Sequence, residues 1–101
     1  MALMKVSRVS ELPPGAVHQI ETGGATYALC NVDGTVHCLE GICPHAGGPL
    51  GEGTLNGNNL VCPWHEYEFD CRTGVNDVDE DMQVQTYAVV VQDGDILIDV
   101  P

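Results

Sequence analysis

Two short motifs limit how this chain can fold more than any other feature of its sequence. The first, C-P-H, occupies residues 43–45, and the second, C-P-W-H, occupies residues 62–65, with sixteen residues between them. Each motif offers one thiol and one imidazole beside proline, which favours tight turns. Four donors of these types can converge on one soft or borderline metal centre if the two loops face each other. The candidate ligands are Cys43, His45, Cys62 and His65.

The donor set admits three interpretations. A structural zinc site can use two cysteines and two histidines, but zinc loops usually place more residues between paired ligands than the single Pro44. A chance arrangement of buried cysteines and incidental histidines would have to repeat the same order in both motifs. A [2Fe–2S] cluster with two cysteines on one iron and two histidines on the other explains why each motif carries one of each. The cluster accounts best for the pattern, with zinc and chance as the alternatives.

The rest of the chain favours strands. Twelve glycines and six prolines interrupt the sequence, and no long stretch keeps a helical apolar period. The Asp-Gly pairs at 33–34 and 93–94 predict two-residue hairpin turns, because glycine tolerates a positive φ. Strands are predicted at 16–21, 26–32, 35–39, 60–62, 68–70, 84–92 and 95–100.

This pattern predicts an all-β protein of one domain. A length of 101 residues fits a single compact unit. The strands at both ends form a base of about residues 1–40 and 76–101, and the loop-rich segment of about 41–75 forms an insert. Long irregular loops in a compact domain need a reason, and cofactor binding supplies one.

Charge narrows the choice of partners. The chain has 15 acidic and 3 basic side chains, a formal net charge of −12. Such a surface repels nucleic acid and anionic lipid. It either attracts a protein with a basic patch or serves only to keep the protein in solution, and the charge alone does not decide between the two. No apolar run approaches the roughly 20 residues of a membrane helix. The start, M-A-L-M-K-V-S, lacks the apolar stretch of a secretory signal. We therefore expect a cytoplasmic protein that binds neither nucleic acid nor membrane.

The remaining cysteines are predicted to be packing residues. Five cysteines cannot all pair within one chain, and structural disulfides are uncommon in the cytoplasm. With a two-residue turn at 33–34, Cys30 lies opposite His37, and Cys38 faces the other side of the sheet, so a disulfide between the two cysteines is unfavourable. Cys71 is assigned to packing in the same way, and His18 and His37 are predicted to be ordinary half-buried histidines.

Taken together, these motifs and strands make the sequence resemble the Rieske ferredoxin family. The segments C-P-H-x-G-G-P-L, C-P-W-H, F-D-x-R-T-G and Y-x-V-x-V-x-D-G-D match that family in order. The resemblance implies a Rieske-like fold, with an antiparallel β-sandwich base that carries a small cluster-binding subdomain. It also implies one [2Fe–2S] cluster per chain, with Cys43 and Cys62 on the buried iron and His45 and His65 on the outer iron.

The resemblance further implies a one-electron carrier that is not itself an enzyme. Such a carrier would take electrons from a flavin-dependent ferredoxin reductase and pass them to a terminal iron oxygenase, docking through basic surfaces of both. Respiratory relatives carry a disulfide between two extra cysteines, where this chain has Gly48 and Trp64, so the chain is similar to the low-potential ferredoxins. The alternatives are a Rieske-like small subunit of nitrite reductase and, from another class, a zinc-stabilised interaction module.

The loops suggest how the cluster would be surrounded. Apolar residues are expected to form a rim around the outer iron. Trp64 can pack over the cluster or lie at the docking surface, but core packing is the favoured interpretation for this residue. The glycines of this region are expected either to bring backbone N–H groups toward the sulfurs or to serve only as turn residues. The predicted rim consists of Pro44, Pro49, Leu50 and Trp64, and the predicted glycines are Gly47, Gly48, Gly51 and Gly53.

Overall fold

A computed structural model describes residues 2–44, 47–64 and 66–100. In that part of the chain the structure is ten β-strands and two short 3-10 turns, Val9–Glu11 and Leu50–Glu52. None of its helical segments has the length and apolar character needed to cross a membrane. The strands are β1 Ala2–Arg8, β2 Val17–Thr22, β3 Ala25–Val32, β4 Thr35–Glu40, β5 Thr54–Asn56, β6 Asn59–Val61, β7 Glu68–Asp70, β8 Thr86–Tyr87, β9 Val89–Gln92 and β10 Asp95–Val100.

The strands form three antiparallel sheets. The first sheet has the order β1-β10-β9, the middle sheet β2-β3-β4-β8 and the third sheet β5-β6-β7. Both predicted Asp-Gly hairpins are confirmed, with Asp33 and Asp93 at φ values of 51° and 54°. The register pairs Cys30 with His37, which places Cys38 opposite Leu29 as predicted.

One predicted strand was wrong. The sequence predicts a continuous strand over 84–92, but the chain leaves one sheet for another at Ala88. Before this residue, β8 pairs with β4 in the middle sheet, and after it β9 pairs with β10 in the first sheet. The N–H of Asp99 donates to the Ala88 carbonyl at 3.0 Å. An unbroken strand could not pair with both sheets.

β3 is buried on both faces and separates two apolar cores. Successive side chains of a strand point to opposite sides, so Tyr27 and Leu29 enter the core between the first and middle sheets. Ala28 and Cys30 enter a second core on the other side. We call the first the base core and the second the loop core, because the second also contains Cys43 and Cys62. The base core joins two sheets face to face, which confirms the predicted sandwich.

The third sheet is built from residues of the segment 41–75. Its strands have three residues each, too few to be stable alone, and Leu60 and Phe69 are fully buried in the loop core. The division of the chain into a base and an insert at residues 41 and 75 stays a prediction. The packing shows why the third sheet depends on the base.

Close backbone contact at Gly53 generates a test of this packing. Gly53 has φ −81°, which any residue adopts, but an added Cβ would overlap the Val61 carbonyl oxygen. We expect Gly53→Ala to lower the free energy of unfolding by about 3 kcal/mol, the upper end for overpacking. Thermal unfolding followed by circular dichroism measures this.

Gly57→Ala is the matched control, in the turn between β5 and β6. Gly57 has φ +61° with open space where the Cβ would lie, so we expect a loss of about 1 kcal/mol from the backbone conformation alone. Equal losses in the two variants would contradict the close contact at Gly53.

Candidate metal centre

Cys43 stands at the neck of the first loop. The loop is closed by a backbone bridge between Ile42 and Pro49, and the N–H of Cys43 donates to the Gly48 carbonyl at 2.8 Å. The Cys43 side chain is 1% exposed and lies in the loop core. The sequence folds this way because Gly47, with φ +75°, reverses the chain inside the loop.

Cys62 stands at the neck of the second loop in the same manner. It follows β6 directly, and its N–H donates to the Tyr67 carbonyl at 2.7 Å. Its side chain is fully buried in the loop core. Its sulfur also accepts a hydrogen bond from the backbone N–H of Trp64. In both loops, therefore, the amide of the cysteine closes the loop while its thiol points inward.

The two thiols are neighbours in the loop core and interact with each other. Burial raises the pKa of the Cys62 thiol, the Trp64 N–H lowers it, and the neighbouring Cys43 thiol raises it again. A thiolate pair in this dry pocket needs a compensating positive charge. The three basic side chains do not supply this charge, because each lies within 4 Å of the carboxylate of Asp95 or Asp70. Two unbridged, buried cysteines in contact therefore fit a metal ion that prefers thiolate ligands.

The two predicted histidine ligands, His45 and His65, lie outside the described residues. Among the residues that the structure describes, no group of three or more His, Cys, Asp or Glu side chains could hold a metal ion. The structure thus brings Cys43 and Cys62 together, and the complete set of four ligands stays a prediction.

Gly48 and Trp64 connect the two loops beside this thiol pair. A Cβ on Gly48 would lie 2.9 Å from the Cys62 sulfur and 3.0 Å from the nearest atom of the Trp64 ring. The ring is 49% exposed, so it covers the loop from outside and does not pack in the core. The interpretation of Trp64 as a core residue was wrong. The two positions that the resemblance aligned with a disulfide are in contact here without one.

The apolar rim also differs from the prediction. Leu50 is fully buried in the loop core, because the 3-10 turn that it begins packs against the middle sheet. Ile42 is 42% exposed next to Cys43 and was omitted from the predicted rim. Its position directly before the first candidate ligand could have indicated that it belongs there. Pro44 is exposed and Pro49 is partly buried. The exposed apolar surface of the two described loops is therefore formed by Ile42, Pro44, Pro63 and Trp64.

Two of the glycine amides are used within the backbone. The Gly47 N–H donates to the Cys43 carbonyl at 2.8 Å, and the Gly53 N–H donates to the Leu50 carbonyl at 3.0 Å. Of the two roles expected for these glycines, Gly47 and Gly53 take the turn role and not the one directed at sulfur, because each amide closes its own turn. The backbone N–H that does donate to a sulfur, that of Cys62, belongs to Trp64, whose amide sequence analysis did not single out.

An acidic surface lies next to the second loop. Asn76 is 6% exposed, and its side-chain oxygen accepts the N–H groups of Val78 and Asp79 at 3.0 and 2.8 Å. These bonds shape the segment 77–81 into a loop beside Glu66. A hollow of about 330 Å³ opens there, lined by Glu66, Tyr67, Asn76, Asp77, Val78, Asp79 and Met82.

Comparison with known proteins agrees with this geometry. The sequence model of one protein family, the Rieske [2Fe-2S] domain, matches residues 2–88 of this chain. The chain belongs to this family. The Rieske domain described here therefore carries one [2Fe–2S] cluster, and the buried thiol pair of Cys43 and Cys62 fits that group.

Full-length relatives of this Rieske domain are ferredoxin components. The ferredoxin component of biphenyl 2,3-dioxygenase from Rhodococcus jostii is 31% identical, over 98% of this chain and 94% of that relative. The ferredoxin subunit of 3-phenylpropionate/cinnamic acid dioxygenase from Photorhabdus laumondii is 35% identical, over 99% and 96%.

Solved structures share the fold. A chain from the complex of reduced oxygenase and oxidised ferredoxin in carbazole 1,9a-dioxygenase superposes with a TM-score of 0.87 at 28% identity, covering 95% of this chain and 91% of that one. A chain described as the small subunit of an NADH-dependent nitrite reductase from Mycobacterium tuberculosis has a TM-score of 0.89, with 99% and 96% covered. At 22% identity this second likeness shows the fold alone.

The contact between Gly48 and Cys62 generates a prediction about cluster retention. We expect Gly48→Ala to shorten the half-life of the visible absorption on heating, because the added methyl group presses on the Cys62 sulfur and the Trp64 ring. The ring is half exposed and can move aside, whereas the buried sulfur cannot.

The double variant Gly48→Ala/Trp64→Ala separates the two contacts. We expect it to lose its absorption as fast as the single variant. Recovery of the wild-type half-life in the double variant would show that the ring contact, and not the sulfur contact, limits stability.

Proposed function

We propose that this protein carries single electrons from a flavin-dependent reductase to a terminal iron oxygenase. The proposal is carried by one observation: its likeness to ferredoxin components of dioxygenase systems runs over almost the whole of both chains. A match of that extent leaves no part of those relatives for a separate catalytic domain. The protein acts as a carrier and leaves catalysis to its partners.

We propose that Cys43, His45, Cys62 and His65 ligate the cluster. The burial of both cysteines in the loop core supports placing the thiolate-bound iron inside the protein. His45 and His65 stand between the residues that close each loop, which supports placing the imidazole-bound iron toward the loop tips. When bound, the [2Fe–2S] cluster takes up and releases one electron.

The protein's own residues shield and orient this centre. The loop core excludes water from the thiolate side, and the Trp64 N–H donates to the Cys62 sulfur. Exposed Ile42, Pro44 and Trp64 offer an apolar contact surface beside the loops. A partner that docks on this surface would approach the histidine side of the cluster.

Acidic side chains next to the loops would guide that docking. Glu66, Asp77 and Asp79 line the hollow beside the second loop, and each is exposed. A carboxylate surface of this kind attracts a basic partner over a distance comparable to the Debye length. We propose that both the reductase and the oxygenase present basic surfaces here.

The same features support a potential in the lower part of the Rieske range. Gly48 and Trp64 make contact without a disulfide, and the carboxylate of Glu66 disfavours the addition of an electron.

We also place the protein in the cytoplasm, where its five unbridged cysteines would stay reduced. The nitrite reductase alternative is supported by fold alone, and membership of the Rieske family removes the zinc module.

The ligand set is tested by metal analysis. We expect about two irons and two acid-labile sulfides per chain, and their loss in Cys43→Ser, Cys62→Ser, His45→Ala and His65→Ala. Cys38→Ala is the control, because Cys38 lies in the base core on the other face of the middle sheet. A Cys62→Ser variant that kept both irons and both sulfides would remove Cys62 from the ligand set.

Electron transfer is tested with cytochrome c, a basic one-electron acceptor. The reduced protein should deliver one electron per chain, at a rate that falls about tenfold between 0.1 and 1 M salt as screening shortens the electrostatic reach. Asp77→Asn/Glu80→Gln should slow transfer at low salt and flatten this dependence.

The control variant removes the same charge elsewhere. Glu11→Gln/Asp33→Asn alters exposed side chains near the hairpin turn at 33–34, since the carbonyl of Leu12 accepts the side-chain N–H of Asn31 at 2.8 Å. That turn is about 20 Å along the strands from Thr26, whose carbonyl accepts the N–H of Gly41 at the start of the first loop. An equal effect of both double variants would mean that net charge, and not the acidic loop, guides docking.

A further inference from the structure

Two cysteines outside the proposed ligand set meet inside the protein. The sulfurs of Cys30 and Cys71 are 3.3 Å apart, and the residues are 0% and 1% exposed. Sequence analysis assigned each to packing separately and did not predict their contact. They come from different sheets, since Cys30 belongs to β3 and Cys71 follows β7 directly.

Both backbones are held in place. Cys30 pairs with Val17 on one side and with His37 on the other, and the Cys71 N–H donates to the Asn58 carbonyl at 2.9 Å. A disulfide bond is about 2.05 Å long, so the two sulfurs need to approach by little more than an ångström. Cys38, the nearest alternative in sequence, lies in the base core on the opposite face of the sheet.

Cys71 is the member of the pair that lies beside surface hollows. Two hollows of about 310 and 270 Å³ open on the surface, and His37, Cys71 and Arg72 line both of them. Either hollow admits a molecule of the size of water or peroxide. Cys30 lines neither of these two hollows.

The hydrogen bond between the thiols shifts their two pKa values in opposite directions. Cys30 donates to the Cys71 sulfur, which lowers the pKa of the Cys71 thiol and raises that of Cys30. Burial and the Asp70 carboxylate act against the first shift. The cysteine that lines the hollows is therefore also the one favoured as a thiolate, which is the nucleophilic form.

We propose that Cys30 and Cys71 form a redox-sensitive pair that hydrogen peroxide converts into a disulfide between the middle and third sheets. The Cys71 thiolate attacks one peroxide oxygen, forming an S–O bond and breaking the O–O bond, and hydroxide leaves. The Cys30 thiol then attacks the Cys71 sulfur, forming the S–S bond and breaking the S–O bond. The Cys30 proton leaves with the expelled hydroxide as one water, and the proton that Cys71 released on forming its thiolate converts the first hydroxide into the other. Two thiols lose two electrons and two protons, and one peroxide becomes two waters.

The cross-link would stabilise the metal centre. A bond between residues 30 and 71 closes a loop that contains all four proposed ligands, and such a closure restricts the unfolded chain. The oxidised form should therefore keep its visible absorption about threefold longer or more on heating. This consequence rests on the proposed function, whereas the disulfide itself does not.

Peptide mapping of the iron-loaded protein tests the bond directly. After treatment with hydrogen peroxide and blocking of free thiols, cleavage after glutamate separates residues 22–40 from residues 69–80. We expect these two peptides to be joined with the loss of two hydrogen atoms, and to separate on reduction with dithiothreitol. Because this readout does not involve iron, it stays informative even if the ligand assignment fails.

Matched variants identify the cysteines. Cys38→Ala should form the link as the wild type does, which excludes the second cysteine of the 22–40 peptide. Cys71→Ala and Cys30→Ala should not form it and should show no reversible gain in heat stability. Wild-type protein in which Cys71 stays a thiol, or is oxidised to a sulfinic acid without joining Cys30, would overturn the proposal, and mapping of the wild type alone decides this if a variant does not fold.

Discussion

Burial of β3 on both faces is the constraint on which the rest of the structure depends. A strand covered on two sides needs two layers of apolar partners, and its alternating side chains supply Tyr27 and Leu29 to one core and Ala28 and Cys30 to the other. The first sheet covers one face. The third sheet and the necks of both loops cover the other, so the two buried cysteines of the metal centre lie against the same surface that organises the base.

This arrangement separates two electrostatic environments over a short distance. The thiols lie in a dry core, where a metal ion is the natural compensation for thiolate charge. The outer surface beside the loops is acidic and partly apolar, and the few basic side chains are paired with carboxylates elsewhere. A carrier needs both environments, since the buried side retains its cofactor and the exposed side meets successive partners.

Local chemistry explains which predictions were confirmed. The Asp-Gly pairs at 33–34 and 93–94 form their turns because a two-residue hairpin requires positive φ, and that requirement is met by the turn residues themselves. The strand over 84–92 failed because its break at Ala88 is imposed by two sheets that lie far away in sequence. Leu50 was expected in the exposed rim and is buried, whereas Trp64 was expected in the core and is 49% exposed. The reason is related, because the sequence shows that a side chain is apolar but not which surface covers it.

The sequence by itself determined the family, the all-β class and the candidate ligands, because the order and spacing of cysteine, histidine, proline and glycine express the local requirements of two metal-binding loops. The tertiary structure alone decided which buried sulfurs meet. Cys43 lies beside Cys62, and Cys30 lies beside Cys71, across sheets that no local pattern connects. The physical reason is that contacts between residues distant in the chain depend on how both faces of β3 are covered, and that packing is a property of the whole fold.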